Sequence, residues 1–199
     1  MIECLYIEIQ KRKNYLNGKT VETIYFGGGT PSIVESEKIK YLLEKIQSTY
    51  KVSKDVEITL ELNPDDITEK KIAALKNIGI NRLSIGVQSF HDRDLEFMNR
   101  SHNSTQAKNA INVAYNAGIK NITIDLIYGI PGQSMKQWEE NLNQLSTLNI
   151  THFSAYALTV EPNTHLHYLV KSKKISQVED SVIESQFKLL QDVSEKMNF

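Results

Sequence analysis

Several residue types that bind ligands fall at the ends of apolar runs in this chain. Gly27, Gly28, Gly29 and Thr30 follow Tyr25-Phe26 and the strand-like residues 21–24. Three successive glycines at a strand end let the backbone approach a ligand closely and offer bare N–H groups to it. Glu61 stands at the end of a second run and opens Glu-Leu-Asn-Pro-Asp; Gln88 lies in Gly-Val-Gln-Ser-Phe; Arg100 follows a short charged stretch; Asp125 sits inside Ile-Thr-Ile-Asp-Leu-Ile. Each has an ordinary reading when taken alone. The glycines fit a tight turn, Glu61 a helix cap, Gln88 a buried amide satisfying backbone groups, and Arg100 a surface charge. Asp125 is more telling, because a carboxylate in so apolar a run is costly to bury without a partner, and a ligand hydroxyl or a cation supplies one. The five histidines show no metal-ligand spacing, and His165 and His167 flank one residue in what reads as a polar loop. Cys4, the single cysteine, excludes an internal disulfide or any site built from several thiolates of this chain, and it reads as a buried thiol.

The elements that must position these residues are short strand-like runs alternating with longer helix-like ones. Helical spacing covers residues 5–16, 35–50, 69–78, 92–99, 105–117, 135–148 and 178–197. Strands are expected over residues 21–26, 56–62, 82–87, 122–128 and 152–158. Thr68 caps the third helix and Gly79 closes it, while Gly118 stops the helix that begins at Thr105. The strands are close to continuously apolar, as parallel strands covered on both faces are. Repeated βα units of this length wind into an open doubly wound sheet or a barrel. Glu61, Gln88, Asp125 and the Gly27 to Thr30 loop all fall at the C-terminal ends of strands, where barrel folds assemble their sites, so a partial or full (β/α) barrel is expected.

Composition sets the remaining bounds. A chain of 199 residues with 40% hydrophobic and 24% charged residues is an ordinary globular sequence with room for a sizeable core. A net charge of −1 gives no electrostatic case for nucleic acid or an anionic membrane. No apolar run approaches a transmembrane segment, and the first residues lack a basic stretch followed by a hydrophobic one, so a cytoplasmic protein is expected.

Taken together, the motifs carry a resemblance. Tyr-Phe-Gly-Gly-Gly-Thr-Pro-Ser from Tyr25, Glu-Leu-Asn-Pro-Asp from Glu61, Gly-Val-Gln-Ser-Phe from Gly86 and Asn-Arg-Ser-His from Asn99 occur in the order and spacing of radical SAM proteins. So do Asp-Leu-Ile-Tyr-Gly-Ile-Pro-Gly-Gln from Asp125, His-Phe-Ser-Ala-Tyr-Ala-Leu from His152 and Glu-Pro-Asn-Thr from Glu161. They resemble the branch that contains oxygen-independent coproporphyrinogen III oxidase and the HemW-type heme chaperone, with the Gly-Ile-Pro-Gly-Gln and Ser-Ala-Tyr segments closer to the latter. The resemblance implies an α/β fold, a partial (β/α)6 TIM-like barrel holding S-adenosylmethionine across its strand ends. Gly28, Gly29 and Thr30 would meet the methionine amino end through the backbone, with the Glu61 carboxylate near that ammonium. Arg100 would pair the methionine carboxylate, Gln88 and Asp125 would bond the ribose hydroxyls, and Thr159 would face the adenine. A zwitterion carrying a diol wants this set of an anion, a cation and two hydroxyl partners on a rigid rim.

The chain departs from the family in one chemical respect. Radical SAM chemistry needs a [4Fe–4S] cluster held by three cysteines, and the first strand and three-cysteine motif of the family are absent. The sequence is therefore expected to be the interior of a longer protein, with residues 1–170 forming the barrel and 171–199 a terminal helix leading to a further region. The parent family acts on coproporphyrinogen III or delivers heme to acceptor proteins, and this chain alone is expected to do neither. A barrel that binds S-adenosylmethionine or a nucleotide without redox chemistry, and an interaction module derived from it, are the alternatives. The strand at residues 21–26, left at a sheet edge, is expected to promote self-association.

Overall fold

The computed structural model describes residues 1–197 and 199 of the chain. Among the described residues, five parallel strands lie side by side in sequence order: β1 (Val21–Phe26), β2 (Val52–Leu62), β3 (Arg82–Gln88), β4 (Asn121–Tyr128) and β5 (His152–Ala157). An order that never reverses has no switch point of the doubly wound kind, so the sheet curls in one sense into a half-barrel. The helices α1 (Ile2–Lys11), α2 (Ser36–Thr49), α3 (Glu69–Asn77), α4 (Asp92–Phe97), α5 (Ser104–Asn116), α6 (Met135–Gln144), α7 (His165–Lys171) and α8 (Asp180–Met197) fill the connections and the end of the chain.

Register sorts the side chains of the strands into two faces. Leu60, Leu83, Ile85, Ile122, Ile124 and Leu126 are fully buried and belong to one core with Ile72 of α3, Ile111 of α5 and Trp138 and Leu142 of α6. On the opposite, concave face the pairings Tyr25 with Thr59, Glu61 with Ser84, Ser84 with Thr123 and Asp125 with Ser154 make a polar row. The strands are thus less uniformly apolar than their composition suggests. Near the start of the strands this face is tied internally, for Arg82 pairs with Glu57 at 2.9 Å and donates to Thr123 Oγ1 at 2.8 Å. At the strand ends it stays open.

Helix ends follow local chemistry. Thr68 accepts from the Lys71 N–H, and Asn103 with Gln106 and Ser134 with Gln137 complete capping boxes. Gly79 and Gly118, both at positive φ, end α3 and α5 as expected.

Three expectations are corrected. Helix α1 spans Ile2–Lys11 rather than residues 5–16, and none of its residues is buried. It lies on α2 through a Tyr6 and Tyr41 ring stack at 4.6 Å, outside the core, so Cys4 is exposed rather than buried. Strand β2 begins at Val52, four residues early, because Val52 pairs with Val21 across a break in register; backbone pairing overrides the charged side chains there. His165 and His167 lie in the first turn of α7 and not in a loop, because Thr164 caps that turn by accepting the His167 N–H. Among the described residues no helix is long and apolar enough to cross a membrane.

Candidate functional site

The glycine loop leaves β1 with Gly28 at φ 82° and Gly29 at φ 62°, conformations open to glycine at little cost. The Gly28 N–H donates to Glu61 Oε2 at 3.0 Å, and the Tyr25 hydroxyl donates to Glu61 Oε1 at 2.8 Å. Glu61 at the end of β2 is thereby fixed by β1 and its loop. Burial, and then the hydrogen bond to Glu61, push the Tyr25 phenol above its ordinary range. A Cβ on Gly27 would stand 2.6 Å from the Tyr25 ring and 2.9 Å from Glu61 Oε1, so the absence of a side chain there admits both groups. The loop ends in a short turn over Pro31–Ile33, where the buried Ser32 donates to Asp66 in the Pro64–Asp66 turn after β2.

Arg100 enters from the segment after α4. Its guanidinium donates to Asn63 Oδ1 at 2.7 Å and to the Gly86 carbonyl at 3.1 Å. Both acceptors are neutral, and among the described residues Arg100 forms no ion pair. Burial lowers its pKa, opposed by the charge of Asp65. A cation taken partly out of water with no anion in contact is poised to receive one.

Asp125, partly buried on β4, is raised from 3.8 to about 6. Burial is the main cause and Glu61 adds to it, while the Ser84 and Ser154 hydroxyls act in the opposite sense. Gln88 ends β3 at φ 71°, just past a register break in its pairing with β4. Gly86 makes room for it, since a Cβ there would lie 2.9 Å from Gln88 Nε2 and 3.3 Å from the Arg100 guanidinium.

Gly29, Thr30, Glu61, Gln88, Arg100 and Asp125 line one cleft of about 200 Å³ at the strand ends, and Gly28 joins it through its bond to Glu61. Thr159 is not brought there; it lines a separate cavity of about 230 Å³ beside Gly129 and Ile183. Gln88 and Arg100 also border a larger cavity of about 820 Å³, walled by apolar side chains including Phe97, Ile127, Leu158 and Leu169. Sequence reasoning missed Tyr25, Asn63, Ser84 and Gly86. Tyr25, Asn63 and Gly86 lie inside the motifs themselves, and the spacing of Arg82, Ser84 and Gly86 along β3 marks the polar face that carries Ser84.

Comparison with known proteins places this geometry. The model of the radical SAM superfamily matches residues 8–145. The heme chaperone HemW of Haemophilus influenzae is 36% identical over 168 residues, covering 84% of this chain and 44% of that protein. HemW of Escherichia coli K12 is 38% identical over 150 residues, covering 75% and 40%. Among solved structures, coproporphyrinogen III oxidase (HemN) from Escherichia coli superposes with a TM-score of 0.73 at 26% identity over 98% of this chain and 44% of that one. An archaeal Elp3 from Methanocaldococcus infernus shares the fold, with a TM-score of 0.72 at 19% identity. The chain spans less than half the length of these relatives. With a curled parallel sheet whose strand ends gather the glycine loop, two carboxylates and a half-buried arginine, and with the family model matching the residues 8–145 that carry all of these groups, the chain belongs to the radical SAM superfamily.

Proposed function

We propose that this chain is the part of a HemW-like radical SAM protein that holds S-adenosylmethionine, and that it binds the cofactor in the strand-end cleft. The observation that carries the reading is Arg100, partly buried and bonded only to neutral oxygens, in one cleft with Glu61 and Asp125. Arg100 pairs the methionine carboxylate, Glu61 attracts the ammonium, and the backbone of Gly28, Gly29 and Thr30 closes over that end. Gln88 and Asp125 take the ribose hydroxyls, and Asp125 does so best when ionised, because a carboxylate accepts from both. Thr159, which lines a separate cavity, takes no part in this set. When bound, the cofactor supplies a sulfonium whose carbon–sulfur bond breaks on one-electron reduction.

The residues present do not fit a [4Fe–4S] cluster. Such a cluster takes three cysteine thiolates; this sequence has one cysteine, exposed on α1, and among the described residues no group of three acidic, histidine or cysteine side chains is placed to hold a metal. On its own the chain therefore binds the cofactor without cleaving it. The apolar cavity of about 820 Å³ meeting the cleft at Gln88 and Arg100 is of a size that takes a large organic ligand. That supports a tetrapyrrole, heme or its precursor, as the second ligand and a heme-accepting protein as partner of the whole protein. Equilibrium dialysis tests the cofactor assignment. S-adenosylmethionine should bind at least tenfold more tightly than methylthioadenosine, which lacks the amino-acid end, since the Arg100 pair is worth at least ~1.4 kcal/mol. Equal binding of the two would overturn the roles of Arg100 and Glu61.

A further inference from the structure

His102 lies two residues beyond Arg100 with its side chain wholly enclosed, outside the cleft. Its Nε2 is 3.1 Å from the Val87 carbonyl. That same carbonyl accepts the Ser89 N–H at 2.9 Å, closing a three-residue turn around Gln88, whose φ is 71°. The positive-φ form of this turn is rare and strained, more so at a residue other than glycine. The turn coincides with an extra residue in β3, which pairs Ile85 with Ile124 and then Gln88 with Leu126. It delivers Gln88 to the cleft and to the larger apolar cavity.

We propose that His102 is a positioning residue whose Nε2–H clamps the Val87 carbonyl and so holds the strained turn that presents Gln88 to the ligand. A carbonyl only accepts, so the proton of a neutral imidazole must sit on Nε2. Burial lowers the pKa of His102 and the charge of Arg100 adds to this, while the Val87 carbonyl and Asp65 oppose them; the net shift favours the neutral ring. Nδ1 is left buried without a hydrogen bond, with Asp65 Oδ1 3.8 Å away. An apolar side chain of similar size would fill the space with no orphaned nitrogen. What the imidazole adds is the single N–H aimed at Val87. The carbonyl it holds belongs to the residue that also fixes Ser89, so losing the clamp frees Gln88 while the core strand beneath stays in place.

For ligand binding the inference rests on the S-adenosylmethionine reading, and two substitutions in this chain separate the two. His102→Met keeps bulk and removes the donor, while His102→Gln keeps an N–H at a similar reach. His102→Met should speed hydrogen exchange of the Ser89 amide by roughly tenfold or more, the loss of one hydrogen bond, with the Ile85 amide unchanged. It should weaken S-adenosylmethionine by roughly tenfold, and Gln88→Ala should add little further loss on top of it, as expected of coupled residues. His102→Gln should restore both. Unchanged Ser89 exchange in His102→Met, failure of His102→Gln to rescue, or fully additive losses with Gln88→Ala would overturn the proposal. If the unsubstituted chain binds no S-adenosylmethionine, the functional reading fails while the exchange result still decides the clamp. Nitrogen-15 spectra of the unsubstituted chain decide it should His102→Met not fold: a proton on Nε2 supports the clamp, and one on Nδ1 refutes it.

Discussion

Replacing Asp125 by Asn should stabilise the fold at neutral pH while weakening the cofactor. The Asp125 carboxyl is raised from 3.8 to about 6, chiefly by burial and then by Glu61, so the folded state holds its proton more tightly than the unfolded chain. With respect to this group, stability is greatest below the ordinary value, falls as pH rises towards about 6, and stays reduced above it. A rise of this size corresponds to about 3 kcal/mol at 1.36 kcal/mol per tenfold change in proton affinity, and water at the open side of the cleft reduces it to about 1–2 kcal/mol. Asparagine is neutral at every pH and keeps a similar shape. Asp125→Asn should therefore gain about 1–2 kcal/mol at neutral pH, or about 2–8 °C in melting temperature for a chain of this size. The gain should shrink towards pH ~4, where the wild-type carboxyl is protonated as well. Urea unfolding of both proteins across this pH range measures the difference. A gain independent of pH, or a variant less stable at neutral pH, would refute the claim that this carboxyl sits under strain in the site. The same substitution should lower affinity for S-adenosylmethionine by about tenfold, as loss of a charged acceptor does, and stability and binding would then move in opposite directions as they do at functional sites.

Other outcomes follow from single contacts. Gly86→Ala places a methyl 2.9 Å from Gln88 Nε2 and 3.3 Å from the Arg100 guanidinium; binding measured by calorimetry should fall about tenfold or more, while the circular dichroism spectrum is kept. Gln186 on α8 is fully buried, accepts the Gly129 N–H at 2.8 Å and donates to Gln133 at 3.2 Å, so Gln186→Leu should cost about 1–3 kcal/mol in urea unfolding by stranding that N–H. Anaerobic incubation of the chain with iron and sulfide should leave no stable [4Fe–4S] absorbance and no 5′-deoxyadenosine under reductant, because one cysteine is too few; a stable cluster would contradict this.

What the sequence made legible was whatever local chemistry carries. The strand ends could be read because Gly27 to Thr30, Glu61 and Gln88 close apolar runs and Asp125 interrupts one, and a parallel sheet brings the ends of consecutive strands to one rim. Arg100 joined them through the family resemblance and not from its own surroundings in the chain. The turn at Gln88 was hidden, since a positive φ at glutamine leaves no glycine to announce it. Cys4 was misread because helical spacing in residues 5–16 does not reveal that α1 rests on α2 instead of the core. The cap on α7 was overlooked because Pro162, Asn163 and Thr164 read equally well as a turn. The buried polar chain from Ser89 through Asp94 and Gln133 to Gln186 joins residues from four parts of the sequence, and no periodicity predicts such pairings. Asn63 and Ser84 were passed over as turn and strand residues, although register sets Ser84 opposite Glu61.

Calorimetric titration of S-adenosylmethionine into this chain and its Arg100→Met variant tests whether the strand-end cleft holds the cofactor through Arg100. The unsubstituted chain should bind one equivalent, and Arg100→Met, with its fold confirmed by circular dichroism, should lose about 30-fold or more in affinity, the effect of removing one partner of a partly buried charge pair at about 2–5 kcal/mol. Absence of binding by the unsubstituted chain, or equal affinity in the two proteins, would contradict the assignment of this cleft to S-adenosylmethionine.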